Sequence, residues 1–179
     1  MSTKQQVVSI LTLPTAVTII VPSILLVLSN MSFLGLWFQN PLSIVLISIG
    51  LLTSAIGFTM LAFTIRLFAV RGHGTLAPWA PPSELVVNGI YGHVRNPMIT
   101  SILLILLGES LMFESWPIFL WFFFCGILNH FYFVYSEEPG LIKRFGDDYI
   151  LYMENVPRWI PRRSPWTSQA IHDDEIKQE

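Results

Sequence analysis

The chain has 179 residues, of which 53% are hydrophobic and 12% are charged, and its mean hydropathy is +0.58. Because soluble domains carry about 25% charged residues, this composition indicates a membrane protein. The net charge of −2 argues against nucleic acid as a partner, and the single cysteine excludes an intrachain disulfide.

The first uncharged apolar run covers 7–28. As a helix its 22 residues reach about 33 Å, which is enough to cross the hydrocarbon core of a bilayer. Pro14 and Pro22 lie inside this run, and we expect them to bend the helix, which membrane helices tolerate.

The second uncharged run, 42–65, is expected to continue as a helix through Arg66 and Arg71 into water. Gly50, Ser54 and Gly57 recur within it at helical spacing, so they predict a seam of small residues for close helix packing.

A turn-rich stretch at 72–97 separates these runs from the rest of the chain. Its prolines preclude a regular helix and its glycines permit tight turns. Irregular backbone at membrane depth survives only where it is buried in protein or lines a wet cavity. The last part, LVVNGIYGHVRNP, gathers polar and basic side chains, and we predict a functional loop there.

A helical hairpin is predicted next, from an apolar run at 98–113, a turn at 114–117 and a fuller span at 116–135. The span runs into the sequence EEPG at 137–140. After it, 141–155 is predicted to form an amphipathic helix with water on one side.

The segment after this helix contains Trp159, Trp166 and several arginines, which we expect to anchor the chain at the lipid headgroups. The polar, acidic tail of the chain has the composition of a disordered segment. The predicted organisation is therefore N-terminal transmembrane helices at 1–70, a catalytic region at 71–163 and a polar tail at 164–179.

Lysine and arginine indicate the orientation of the chain in the membrane. The connectors 29–41 and 114–116 carry none, whereas 66–97 and 137–163 carry eight. The positive-inside tendency therefore places the latter two on the cytoplasmic side. The predicted fold is an all-α integral membrane protein with four crossings, or five if the amphipathic segment counts as one. The central loop and the glutamate pair then share one membrane face.

Arg95 and the glutamates Glu137 and Glu138 are the candidate chemical groups. Asn96 can cap a helix that has Pro97 at its first position, so the helix N-terminus and Arg95 together suit a carboxylate or phosphate. Arg95 can equally be a positive-inside anchor. The glutamates can cap a helix at the interface, or one of them can bind ribose hydroxyls or a ligand ammonium group.

Metal binding is not predicted, because the histidines lack the paired short spacing of a zinc site and have no companion cysteine.

The pattern LV-x-x-G-x-Y-x-x-x-RNP begins at Leu85. After the apolar hairpin follows EE-x-x-L-x-x-x-FG-x-x-Y-x-x-Y-x-x-x-VP, which begins at Glu137. In this order the two motifs resemble the isoprenylcysteine carboxyl methyltransferases and their phospholipid methyltransferase relatives. The resemblance covers about 71–163, and the first two spans match only as generic apolar helices.

The resemblance implies an integral-membrane enzyme that transfers a methyl group from S-adenosylmethionine, leaving S-adenosylhomocysteine, to a lipophilic substrate that enters from the bilayer. It also implies that the loop and the glutamate pair enclose the cofactor at the cytosolic face. Position by position, the implied cofactor contacts are Leu76, Ser83, Leu85, Val86, Tyr91, Asn96, Pro97, Met98, Ile99 and Glu137.

The methyl acceptor is less well defined than the donor. The prenylcysteine enzymes usually carry His where Asn96 stands, and a substrate-binding Arg where Phe133 stands. A carboxylate acceptor needs a cation to hold it, for which Arg95 is the best candidate. An amine acceptor has to lose a proton, which gives Glu138 or His93 a role.

The predicted function is therefore methylation of a prenylcysteine carboxylate or a similar lipophilic carboxylate. The alternatives are a phospholipid or amine N-methyltransferase, a membrane reductase that uses NADPH, and a membrane subunit without enzymatic activity.

Overall fold

The computed structural model describes residues 12–29, 40–71 and 85–167. Within these ranges the chain is helical and contains no strand. The helices are α1 (Thr12–Leu28), α2 (Pro41–Arg71), α3 (Pro97–Met112), α4 (Trp116–Phe145) and α5 (Asp147–Asn155), and a 3₁₀ turn covers Gly89–Gly92.

Helix α1 keeps both of its prolines, and a π-helical turn, Ala16–Ile20, lies between them. Within this turn the Thr18 hydroxyl donates to the carbonyl of Pro14 at 2.8 Å. Helix α2 continues to Arg71, so the predicted extension of the second run beyond 65 is confirmed.

In the part of the chain that the structure describes, two helices are long and apolar enough to cross a membrane. The spans are Pro41–Leu67, with a mean hydropathy of 2.2, and Trp116–Phe145, with a mean hydropathy of 1.6. Only 22% and 17% of their most apolar stretches are buried inside the protein, whereas the core helix of a soluble domain hides most of its apolar surface. The described residues therefore have the character of a helical membrane protein. Helices α1 and α3 are apolar but shorter.

The chain divides into two compact units, of which the first comprises 1–62 and 99–128. Here α2 and α3 pack at close range, because glycines face each other across the contact. A Cβ added to Gly50 would lie 2.6 Å from the carbonyl oxygen of Gly108, and one added to Gly57 would lie 2.9 Å from that of Ser101. The predicted small-residue seam is confirmed.

The second unit comprises 63–98 and 129–179, and its core is a cluster of five buried side chains. They are Val87, Tyr149, Tyr152, Val156 and Trp166. The prediction that Trp166 anchors the chain at the headgroups is wrong, because only 7% of this residue is exposed.

Two predicted boundaries in this unit are also wrong. The span does not end at the EEPG sequence, since α4 passes through a π-helical turn, Phe133–Glu137, and continues to Phe145. The amphipathic segment 141–155 is not one helix. Gly146, with φ of 57°, ends α4 and precedes α5, and this left-handed conformation is one that glycine adopts easily.

Candidate functional site

The loop before α3 is held by backbone hydrogen bonds to the segment 157–166, which we call the C-terminal segment. The amide of Arg95 donates to the carbonyl of Pro157, that of Arg162 to His93, and that of Trp166 to Gly92, each at 2.9 Å. These bonds fix the backbone of the loop from three points, immediately before α3 begins at Pro97 as predicted.

Side chains reinforce this attachment. The Tyr152 hydroxyl donates to the carbonyl of Tyr91 at 2.8 Å, and His93 Nδ1 lies 2.7 Å from the carbonyl oxygen of Arg162. Since a carbonyl only accepts, His93 Nδ1 carries a proton in this arrangement. A Cβ on Gly92 would lie 2.6 Å from the carbonyl oxygen of Trp166, so the close approach of the two segments requires glycine there.

A buried carboxylate joins the loop, helix α4 and the C-terminal segment. Arg95 Nη1 donates to Glu138 Oε1 at 2.6 Å. Arg158 contacts both oxygens of the same carboxylate, with Nε donating to Oε1 at 2.9 Å and Nη2 to Oε2 at 2.8 Å. The exposed fractions of the side chains are 7% for Arg95, 8% for Glu138 and 23% for Arg158. This is a largely desolvated cluster of charge-assisted hydrogen bonds.

The two adjacent glutamates differ in exposure: Glu138 is buried and Glu137 is exposed. Glu137 ends the π-helical turn, and the amide of Glu138 donates to the carbonyl of Phe133, five residues earlier. Single π turns in α-helices are frequent at functional sites. Here the turn leads directly into the buried carboxylate and leaves the preceding carboxylate exposed.

The tyrosines around this cluster stay protonated. Desolvation, with smaller contributions from Tyr152 and Glu137, raises the pKa of Tyr91 well above its usual value. Desolvation raises the pKa of Tyr149 to about 12, although the nearby Arg95 guanidinium lowers it. The pKa of Tyr152 is raised mainly by desolvation. These hydroxyl groups are therefore neutral donors at physiological pH.

Most of the predicted site residues lie in one compact unit. Leu85, Val86, Tyr91 and Met98 are partly buried there, and Asn96 and Pro97 are buried. Ile99, partly buried in the first turn of α3, belongs to the other unit. Leu76 and Ser83 lie outside the described residues.

Among the predicted chemical groups, the structure brings Arg95 and Glu138 into direct contact. Sequence reasoning missed Arg158, which directly follows the VP pair of the second motif, and it missed Tyr149, a tyrosine of that motif. Tyr149 could have been found from the sequence, because it occupies one of the tyrosine positions of the second motif. Nothing in the sequence around Arg158 indicated that it pairs with Glu138.

No group of three or more histidine, cysteine, aspartate or glutamate side chains suited to a metal ion occurs among the described residues.

Together, the apolar helices and this buried site define a helical membrane protein with a polar site at the end of one of its spans. A sequence model of the phospholipid methyltransferase family matches residues 42–148, which is more than half of the chain. The chain therefore belongs to the phospholipid methyltransferase family.

The chain is also similar to the protein-S-isoprenylcysteine O-methyltransferase of Schizosaccharomyces pombe (strain 972 / ATCC 24843). The two are 32% identical over 121 residues, which is 61% of this chain and 49% of the relative. This chain thus spans about half the length of that relative. The resemblance seen in the motifs is confirmed, and the chain is a member of a methyltransferase family.

Proposed function

We propose that this protein is a multi-pass membrane methyltransferase that uses S-adenosylmethionine and methylates the carboxylate of a prenylated cysteine or a similar lipophilic carboxylate. The observation that carries the proposal is the ion pair between Arg95 and Glu138. It ties the loop of the first motif to the glutamate pair of the second, beside the exposed carboxylate of Glu137. The name of the yeast relative supports the acceptor class.

The residues present fit the donor. Glu137 offers an exposed carboxylate that can accept from ribose hydroxyls, and its charge acts on the protonated Tyr91 nearby. Leu85 and Val86, both partly buried, supply apolar surface, and Tyr91 supplies a ring that can stack on a base. When bound, S-adenosylmethionine supplies a methyl group already activated by the positive sulfur.

We assign the binding of the methyl acceptor to Arg95. A carboxylic acid is ionised at pH 7, so it needs no general base and only a cation that orients it. Glu138 fixes the Arg95 guanidinium at 2.6 Å, and we assign it a positioning role rather than proton transfer, because the arginines occupy both of its oxygens. The protein then acts mainly by orienting the reactants and excluding water.

The proposed topology has four crossings, formed by α1 to α4, with the site on the cytoplasmic side. Helix α3 has 16 residues, which span about 24 Å, so it crosses only where the bilayer is locally thin or where flanking polar groups reach outward. The acceptor enters laterally from the lipid.

Calorimetric titration of S-adenosylhomocysteine into detergent-solubilised protein tests the donor assignment. We expect micromolar binding to the wild type and loss of binding in Glu137→Ala. The matched control is Glu154→Ala, which removes another exposed glutamate of the same unit and is expected to bind normally. Absence of binding to folded wild-type protein would refute the methyltransferase proposal, and NADPH would be titrated next to test the reductase alternative.

A phospholipid or amine N-methyltransferase is the second candidate. It is favoured by the family that matches the chain and by the buried Phe133 at the position where the prenylcysteine enzymes carry Arg. The base for an amine would then be His93, whose Nδ1 proton is engaged and whose Nε2 is the accepting nitrogen of the neutral ring. Methyl transfer to phosphatidylethanolamine, with none to N-acetyl-S-farnesyl-L-cysteine, would favour this candidate.

A further inference from the structure

Arg95 and Arg158 make different numbers of contacts with the Glu138 carboxylate. Arg158 contacts both oxygens, whereas Arg95 contacts only Oε1, through Nη1. Arg95 Nε is buried and does not donate to Glu138, and the buried Tyr149 hydroxyl lies beside the Arg95 guanidinium. Thus the more deeply buried arginine contacts the carboxylate at one point, and the more exposed arginine contacts it at two.

The three groups that are directly bonded in this cluster carry unequal numbers of positive and negative charges. Two guanidinium groups and one carboxylate give a net charge of +1, and the side chains of Arg95 and Glu138 are more than nine-tenths buried. An uncompensated buried charge is costly unless something neutralises it. The exposed carboxylate of the adjacent Glu137 acts electrostatically on Glu138 and Tyr149 and offsets part of this charge, and the proposed function assigns it to the cofactor.

We propose that Arg158 is a positioning residue that keeps the charge of Arg95 available for an anionic group on the methyl acceptor. By taking both oxygens of Glu138, Arg158 neutralises that carboxylate and prevents Arg95 from forming a two-point pair with it. The acceptor is then one that carries a carboxylate or phosphate, held by Arg95. This inference rests on the proposed function and adds a residue that lies outside the donor contacts.

Without Arg158, Glu138 would have Arg95 as its remaining cation. The planar fork of Arg95 would turn to bind both oxygens, because two-point pairs between arginine and carboxylate are the preferred geometry. The cluster would then be neutral. Affinity for an anionic acceptor would fall, whereas affinity for an uncharged analogue would not.

The test compares Arg158→Gln, Arg158→Lys and the wild type, with Arg163→Gln as a matched control that removes an exposed arginine from the same segment. Each protein is loaded with S-adenosylhomocysteine. Binding is then measured for N-acetyl-S-farnesyl-L-cysteine and for its carboxamide, which has the same lipid but no charge. Binding of S-adenosylhomocysteine itself reports both on folding and on the proposed donor function.

In Arg158→Gln we expect the Kd of the acid to rise about tenfold or more, the scale of one lost charge-assisted hydrogen bond. The Kd values of the carboxamide and of S-adenosylhomocysteine should change by less than about twofold. Arg158→Lys, which keeps the charge, should recover at least part of the loss, and Arg163→Gln should behave as the wild type.

Several results would overturn the inference. One is equal weakening of the acid and the carboxamide in Arg158→Gln, which would show a structural role only. Others are an unchanged Kd of the acid, no recovery with lysine, or equal affinity of the wild type for acid and amide. A wild type that binds no S-adenosylhomocysteine would instead refute the proposed function, so the two failures are distinguishable.

Discussion

Replacement of Glu138 by glutamine should loosen the attachment of the C-terminal segment to the loop before α3. Glutamine keeps one acceptor oxygen but replaces the other with a donor, so at least one of the three short bonds from Arg95 and Arg158 is lost. It also leaves both guanidinium groups without a counter-charge. Removing one partner of a buried ion pair costs about 3–5 kcal/mol. Because Arg158 is 23% exposed and part of its charge is solvated, we expect about 3 kcal/mol.

Hydrogen exchange measured by mass spectrometry checks this value, because it reports on local opening. Peptides that cover 92–95 and 157–166 contain the amides that join the two segments. A loss of about 3 kcal/mol should speed their exchange about a hundredfold where opening limits it.

The neighbouring Glu137→Gln is the control, because Glu137 is exposed. It should alter exchange by less than a few-fold while weakening S-adenosylhomocysteine binding. Two results would refute the conclusion that the buried carboxylate holds the two segments together. One is equal protection from exchange in Glu138→Gln and the wild type, and the other is an equal loss of protection in Glu138→Gln and Glu137→Gln.

The remaining predictions concern packing and protonation. Gly108→Ala should lower the free energy of unfolding by about 1–3 kcal/mol through overpacking, whereas Gly126→Ala, whose Cβ would meet a leucine at an ordinary 3.7 Å, should be tolerated in the same denaturation assay. Gly92→Ala should break the bond from the Trp166 amide and raise its exchange rate. Because the pKa of Tyr149 is raised to about 12, stability present below pH 10 should be lost between pH 10 and 12, by up to about 2–3 kcal/mol. Tyr149→Phe should remove this part of the loss, as unfolding at pH 8 and pH 11 would show.

The local periodic features of the fold could be predicted from the sequence. The uncharged run at 42–65 forms most of α2, and Pro97 begins α3, because hydropathy and proline geometry act over a few residues. The continuation of α4 through Pro139 could not be predicted. Proline usually breaks a helix, but the π-helical turn directly before it changes the hydrogen-bond pattern at the position where proline lacks its N–H.

Contacts between residues far apart in the sequence could not be predicted from local sequence patterns. Trp166 has the composition of an interface anchor, yet it is buried because Gly92, far earlier in the chain, leaves room for its backbone. The sequence likewise placed Glu137 and Glu138 side by side without showing which is buried. That difference becomes visible only when the π-helical turn and the two arginines are both known.

A carboxylate acceptor and an amine acceptor would interact differently with the buried arginines, and this difference helps to choose between the two proposed acceptor classes. The two guanidinium groups on the Glu138 carboxylate would attract an acceptor carboxylate and disfavour an isolated ammonium group. A phospholipid amine fits the cluster only if its phosphate is held by Arg95, and its amine then needs a base elsewhere, for which His93 is the available group. Prenylcysteine needs no base. On the proposed function, the arrangement of Arg95, Glu138 and Arg158 would therefore favour acceptors that carry an anionic group, whichever atom receives the methyl.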